Sequence, residues 1–252
     1  MSEITTQRYS YGEDASQWAE LYLPHGPAAA GVAVVIHGGY WRSAYAADLG
    51  APLAADLARH GVAAWNLEYR RMGNGGGWPA TFEDIAHGID ALAVAVEEHG
   101  IDLGSVVALG HSAGGQLAVW AAGRSTFPPG AVGALPAVEV TGVVSQSGLL
   151  NLAQAQQLGL SSNAVAKLLG ENVALADPMS AIPLPVPVVA VHAMNDADVP
   201  ASQSESYLAA AVAAGADARL VMVPGDHMDL IDVGSESYAT CRELVLGLLG
   251  RA

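Results

Sequence analysis

The stretch SVVALGHSAGG (105–115) decides how the chain is read: a short apolar, β-branched run leads into a glycine-flanked serine and then into GGQLAVWAAGR (114–124), which has helical composition. Its centre, Gly110-His111-Ser112-Ala113-Gly114, fits G-x-S-x-G. In a strand-turn-helix setting that pattern holds a serine on a sharp, strained turn with its hydroxyl presented for reaction. A side chain two positions to either side of the serine would collide with flanking backbone, and glycine at 110 and 114 removes the collision. The five residues alone are common in unrelated turns; the strand before and the helix after give them weight.

Outward from this turn, the chain alternates short apolar runs with longer segments of helical period, which argues for an α/β fold with a mostly parallel sheet covered by helices on both faces. The strand candidates are GVAVVIHGG (31–39), VAAWNLEYR (62–70), SVVALGHS (105–112), VEVTGVVSQS (138–147), VPVVAVHAMND (186–196) and ARLVMVPGD (218–226). Each ends in polar or glycine residues, and ligands bind at such strand ends in open α/β sheets. Helix candidates are DLGAPLAADLARHG (48–61), TFEDIAHGIDALAVAVEEHG (81–100), GGQLAVWAAGR, SQSESYLAAAVAAG (202–215) and SYATCRELVLGLLG (237–250), most opening near Asp, Ser or Thr and stopping at glycine. The segments TTQRYSYG (5–12) and QWAELYLP (17–24) alternate as an antiparallel hairpin on the sheet edge would. Residues 149–185 break the rhythm with two short helix-like pieces and a proline-rich approach to the next strand; the interval reads either as a small lid or as a surface excursion.

Length and composition narrow the partners. The 252 residues suit one domain spanning 1–252. Ten Lys+Arg against twenty-five Asp+Glu give a formal net charge of −15, which repels phosphate backbones and anionic lipid, so nucleic acid and membrane surfaces are excluded as expected partners. A small-molecule substrate is expected instead, with a homodimer left open. The single cysteine, Cys241, cannot form an internal disulfide. Together with an N-terminus that lacks the form of a secretory signal, it suggests a reducing, cytoplasmic setting.

A serine hydroxyl is a poor nucleophile at neutral pH; it needs an imidazole to take its proton and a carboxylate to hold that ring. In the fold that carries this motif the chain order is Ser, acid, His. Asp196 ends VPVVAVHAMND and His227 follows the last strand in VPGDHMD, so both fall at the sheet edge that carries Ser112. Asp198 is the rival acid, two residues on. The other histidines lie upstream of the serine, inside a strand (His192) or at the elbow itself (His111). Two backbone N–H donors must also hold the developing oxyanion, and loss of one such donor costs about 3 kcal/mol elsewhere. His37-Gly38-Gly39-Tyr40-Trp41 follows an apolar run as a glycine-rich oxyanion loop does, nominating Gly39 and Tyr40, with Ala113 after the serine as the other donor. No cofactor or metal is expected, since no pair of histidines has ligand spacing on one helix.

With HGGYW (37–41), GHSAGG (110–115), Asp196 followed by Val199-Pro200, and GDH (225–227), the chain resembles the kynurenine formamidase (arylformamidase) group within the esterase/lipase branch of the α/β-hydrolases, and EYRRMGNGGGWP (68–79) is similar to the segment that follows the HGGxW signature there. The resemblance implies an α/β-hydrolase fold with at most a small lid, Ser112, Asp196 and His227 as the triad, HGGYW as the oxyanion site, and hydrolysis of N-formyl-L-kynurenine to L-kynurenine and formate. Such a substrate needs a flat apolar wall, which Tyr40, Trp41 and Trp78 would build unless they are ordinary packing residues. Arg71, with its neighbour Arg70, would either pair with a substrate carboxylate or make structural ion pairs with Glu68 or Asp84. A general carboxylesterase of small acyl esters is the alternative within the class, and a non-catalytic binding module of the same fold the alternative outside it.

Overall fold

The computed structural model describes residues 4–26 and 30–250. Among them, eight strands form one sheet: β1 (Thr5–Ser10), β2 (Trp18–Leu23), β3 (Ala30–Ile36), β4 (Ala63–Leu67), β5 (Asp102–His111), β6 (Gly142–Gln146), β7 (Val188–Ala193) and β8 (Ala218–Val223). Their order across the sheet is β1-β2-β4-β3-β5-β6-β7-β8. The expected hairpin is the antiparallel edge, pairing Thr5 with Leu23 and Ser10 with Trp18. β2 joins β4 antiparallel, and every pairing from β4 across to β8 is parallel.

Helices α1 (Ala51–Arg59), α2 (Ala80–Asp90), α3 (Leu92–Glu97), α4 (Ala113–Ala122), α5 (Leu152–Gln157), α6 (Leu160–Leu169), α7 (Val173–Ala176), α8 (Ser202–Ala213) and α9 (Glu236–Leu248) connect and cover the strands. The two-residue period of a strand sorts the core into two layers. Val32, Val34 and Ile36 of β3 join the layer that holds α2, α4 and α8, whereas Ala33 and Val35 join the layer that holds α1 and α9. With both faces buried, the parallel strands need apolar residues at nearly every position, which is why they read as continuous apolar runs. Start signals act where physical chemistry places them: Pro52 lies in the first turn of α1, and the Ser235 hydroxyl accepts from the Tyr238 N–H at the start of α9.

Two expectations change in detail. The segment 81–100, expected as one helix, divides into α2 and α3 at Ala91, and near that break the Trp65 indole donates to the Gly88 carbonyl at 2.8 Å. The interval 149–185 forms α5, α6 and α7 followed by a 3-10 turn at Pro178–Ala181. Ala164, Val165, Leu168 and Leu169 join the layer over α4, where the Gln116 amide donates to the Ala176 carbonyl at 2.8 Å and the Trp120 indole to that of Leu175 at 3.2 Å. No helix among the described residues is long and apolar enough to cross a membrane.

Behind the end of β4, the fully buried Asp84 accepts from the Arg70 backbone N–H (2.9 Å), from Arg70 Nε and Nη2 (2.8 and 2.7 Å), and from the Gln17 amide (2.8 Å). One carboxylate thus ties α2 to β4 and to the edge hairpin. Asp84→Ala removes the acceptor for all four donors; with Arg70 still partly solvated, the expected loss is about 2–3 kcal/mol in urea unfolding, and a loss under about 0.5 kcal/mol would show that the cluster contributes little.

Candidate active site

β5 ends at His111 and α4 begins at Ala113, so Ser112 alone turns the chain from strand to helix, with φ 55° and ψ −117°. That left-handed backbone is held by hydrogen bonds on both sides: the Ser112 N–H donates to the Gln146 carbonyl at 2.8 Å, and the Gly115 N–H donates to the Ser112 carbonyl at 3.0 Å. A Cβ at Gly110 would fall against the Gly114 carbonyl, and one at Gly114 against the Ile36 carbonyl, each well inside van der Waals distance. The two glycines therefore permit α4 to start in contact with β3 and β5. Ser112 is 2% exposed.

The turn after β7 carries Asp196, and the turn after β8 carries His227. Asp196 Oδ2 lies 2.7 Å from His227 Nδ1, while its Oδ1 accepts from the N–H groups of Asp198 and Val199 at 2.9 and 2.8 Å. Asp198 is exposed and supplies backbone groups to the cluster, so of the two candidate acids Asp196 is the one bonded to the imidazole. Burial pushes the Asp196 carboxyl up, but hydrogen bonds from His227, the Val199 N–H and the Ser147 hydroxyl outweigh it and hold it at about 2. His227 is docked beside the elbow: its carbonyl pairs with His111 Nε2 at 2.9 Å and the two imidazoles lie 4.5 Å apart. Burial, reinforced by His227, lowers His111 to about 3, so His111 is neutral and its Nε2 carries the proton given to that carbonyl. His192 is a satisfied core residue, its ring nitrogens 2.8 Å from Ser204 Oγ and 3.0 Å from the Val199 carbonyl.

The loop after β3 curls through positive φ at Gly39 (106°), Tyr40 (48°) and Trp41 (54°). It lies against the elbow, since a Cβ on Gly38 would meet Ser112 Cβ at 3.0 Å. Among the described residues, the backbone N–H groups of Gly39, Tyr40 and Ala113 have no hydrogen-bond partner. The Tyr40 hydroxyl reaches across to the turn after β7 and donates to the Asp198 carbonyl at 2.7 Å. Burial, then the charges of Asp198 and Asp196, raise that phenol to about 12, so it remains a donor across the neutral range. Tyr45, 45% exposed, packs its ring on Gly39.

Three expected substrate contacts are corrected. Trp41 is fully buried and donates its indole N–H to Gln116 Oε1 at 3.2 Å, so it has no surface to offer; its positive φ turns the side chain into the core. Arg71 is also buried, with Nη1 paired to Glu68 Oε1 and 3.2 Å from His37 Nε2, which makes it an internal ion pair. Trp78 packs on Phe82 with ring centroids 5.0 Å apart and lines a cavity of about 590 Å³ with Trp120, Phe127, Leu175 and Ile182, a lining that does not include Ser112, Asp196 or His227. Conversely, nothing in the sequence marked Ser147 or Gln146, whose roles depend on β6 lying between β5 and β7, and His111 stood only as the variable position of the motif.

Asp196, Asp198 and His227 bring one ligand atom each within 4.8 Å of one another, but the first and last are already hydrogen-bonded together, so a cation there would have to displace that bond. The arrangement as it stands offers a hydroxyl on a strained turn, an oriented imidazole close by, and unpaired amide hydrogens on two sides.

A family model described as BD-FAE matches residues 19–210. No curated protein matches the chain. Among solved structures, esterase B from Lactobacillus rhamnosis, inhibited by a tributyrin phosphonate, is 21% identical with a TM-score of 0.85, covering 98% of this chain and 87% of its own. A truncated carbohydrate esterase from gut microbiota is 21% identical with a TM-score of 0.81, covering 98% and 96%. The propionate-bound esterase Est2 of the planctomycete Thermogutta terrifontis is 20% identical with a TM-score of 0.76, covering 99% and 95%. These likenesses establish the α/β-hydrolase fold.

Gly114→Ala drives a methyl group into the Ile36 carbonyl, and a loss of about 1–3 kcal/mol or more in urea unfolding is expected; an unchanged midpoint would contradict the close approach. A second expectation concerns acid. Because Asp196 is held at about 2 against an ordinary 3.8, its stabilising contribution is complete above the ordinary value and is lost as pH falls through about 2, amounting to about 2 kcal/mol. Asp196→Asn should lack that acid-dependent portion when unfolding is followed from pH 5 downward, and an identical pH slope would refute the assignment.

Proposed function

Since the chain belongs to the BD-FAE family of esterase-type α/β-hydrolases, we propose that it is a serine carboxylesterase of small acyl esters, with Ser112 as nucleophile, His227 as general base and Asp196 as the residue that orients the imidazole. One observation carries this reading: the His227–Asp196 pair is docked on the residue that precedes a strained, enclosed serine.

In the proposed reaction, Ser112 Oγ attacks the ester carbonyl while His227 Nε2 takes its proton, and the ionised Asp196 stabilises the imidazolium through Nδ1–H. Negative charge builds on the carbonyl oxygen, where the Ala113 N–H and the N–H groups of Gly39 and Tyr40 receive it. Collapse expels the alcohol, which leaves with the proton from His227. A water then attacks the acyl-serine with the same base, releasing the carboxylic acid and restoring Ser112. The enclosure of Ser112, with Tyr40 bridging to Asp198 above the strand ends and Tyr45 packed on Gly39, favours a short acyl group over a long one.

A second reading keeps the machinery and changes the substrate. Formyl is the smallest acyl group, and HGGYW with EYRRMGNGGGWP resembles the arylformamidase group, so hydrolysis of N-formyl-L-kynurenine to L-kynurenine and formate remains a candidate activity. It is the weaker of the two because Arg71 and Trp41, the residues suited to the carboxylate and ring of that substrate, are engaged in the interior.

Purified protein is expected to cleave p-nitrophenyl acetate with higher kcat/KM than p-nitrophenyl octanoate or N-formylkynurenine, read from p-nitrophenolate and formate release. A preference for N-formylkynurenine would overturn the esterase reading in favour of the second. Ser112→Ala should reduce kcat at least about 1000-fold and abolish labelling by a fluorophosphonate; retained labelling at another residue would sink the role given to Ser112.

A further inference from the structure

Beneath the loop that follows β3 lies a buried polar cluster that the proposed reaction does not use. Glu68, just beyond β4, has a side chain only 4% exposed. Its Oε1 accepts from the Tyr69 N–H at 2.7 Å and from Arg71 Nη1, and its Oε2 accepts from the Ala47 N–H at 3.0 Å. The same Oε1 and Arg71 Nη1 each lie 3.2 Å from His37 Nε2. The His37 ring is stacked on Tyr69 at 4.4 Å, and the Tyr69 hydroxyl donates to the His37 carbonyl at 2.8 Å. Two opposite charges buried side by side are costly to desolvate, and removing one partner leaves the other uncompensated.

The other ring nitrogen shows what this cluster acts on. His37 Nδ1 lies 2.9 Å from the Gly38 carbonyl, and a carbonyl can only accept, so Nδ1 carries a proton whichever charge the ring has. The Gly38 carbonyl and the Gly39 N–H belong to one trans peptide unit and point in opposite directions. A ring that draws the Gly38 oxygen inward therefore turns the Gly39 N–H outward. Without that restraint the unit could rotate, because glycine at 38 and 39 imposes little steric preference.

We infer that the buried Arg71–Glu68 pair, acting through His37, is the positioning device of the oxyanion site, holding the Gly38–Gly39 peptide so that the Gly39 N–H faces the substrate carbonyl. This rests on the reading of Ser112 as nucleophile and Gly39 as oxyanion donor. Glu68, Arg71 and His37 are positioning residues and do not touch the substrate. Arg71, which the sequence left open between a substrate carboxylate and an ion pair with Glu68 or Asp84, makes the Glu68 pair and acts on the reaction from behind the loop.

The test compares the unmodified protein with Glu68→Gln, which keeps the shape and removes the charge, and His37→Phe, which keeps a ring for Tyr69 to stack on and removes the Nδ1 donor. With p-nitrophenyl acetate, kcat should fall about 100-fold in each variant, as when an oxyanion donor is lost, while KM stays within about threefold. Inhibition by phenylboronic acid, whose serine adduct presents the same oxyanion, should weaken by the factor lost in kcat. A merely structural role would lower the melting temperature without splitting kcat from KM. Should His37→Phe fail to fold, Glu68→Gln decides alone. Folded variants that keep kcat and boronate inhibition within about threefold would overturn the inference and leave the esterase reading intact. Failure of the fluorophosphonate to label Ser112 in the unmodified protein would overturn that reading, and this inference with it.

Discussion

The close approach of α4 to β3 and β5 is the constraint from which the rest of the site follows. Gly110 and Gly114 remove the two Cβ atoms that would hold these elements apart, and Ser112 takes the strain as a positive φ. Such a backbone costs about 1–3 kcal/mol and persists only where its surroundings over-determine it. Here they do, through the Gln146 carbonyl on one side and the first turn of α4 on the other. Since α4 starts at Ala113, the Ala113 N–H has no intrahelical acceptor and is left unpaired beside the serine. The strained turn that carries the proposed nucleophile thus also leaves an unpaired donor beside it.

Around this turn the polar groups come in two kinds. The Asp196 carboxylate accepts from His227, the Asp198 and Val199 N–H groups and the Ser147 hydroxyl, and Glu68 accepts from Tyr69, Ala47 and Arg71. These saturated carboxylates hold geometry. The N–H groups of Gly39, Tyr40 and Ala113 are left without partners on the loop after β3 and at the start of α4. In the proposed reaction, saturated groups behind and unsatisfied donors in front would make a preorganised electrostatic site. Tyr40 and Tyr45 pack the loop after β3, one bonded to the Asp198 carbonyl and the other lying on Gly39.

Much of this was legible from residue order. The run SVVAL before G-x-S-x-G, the glycine spacing, the succession of Ser112, Asp196 and His227, and the apolar runs of a sheet buried on both faces are local patterns, and local sterics set their meaning. The order along the chain favoured Asp196, directly after the strand, over Asp198, and the turn after β7 accordingly presents the first carboxylate inward to His227 and the second outward. Ser147 and Gln146 were not visible, since only the insertion of β6 between β5 and β7 brings them to the elbow and the acid.

Arg71 and Trp41 mark where reading along the chain ends. Both follow strand ends on the ligand side of the sheet, where sequence position suggests contact with substrate, yet both turn inward, Trp41 through a positive φ and Arg71 toward a carboxylate three residues before it. The sequence by itself determined the class of fold, the serine turn and the order of the residues that accompany it, because strand period, helix caps and glycine sterics operate over a few residues. The tertiary structure alone decided which side chains beyond the strand ends stay at the surface and which turn into the interior. In loops no period ties side-chain direction to residue number, and packing against distant segments sets it instead.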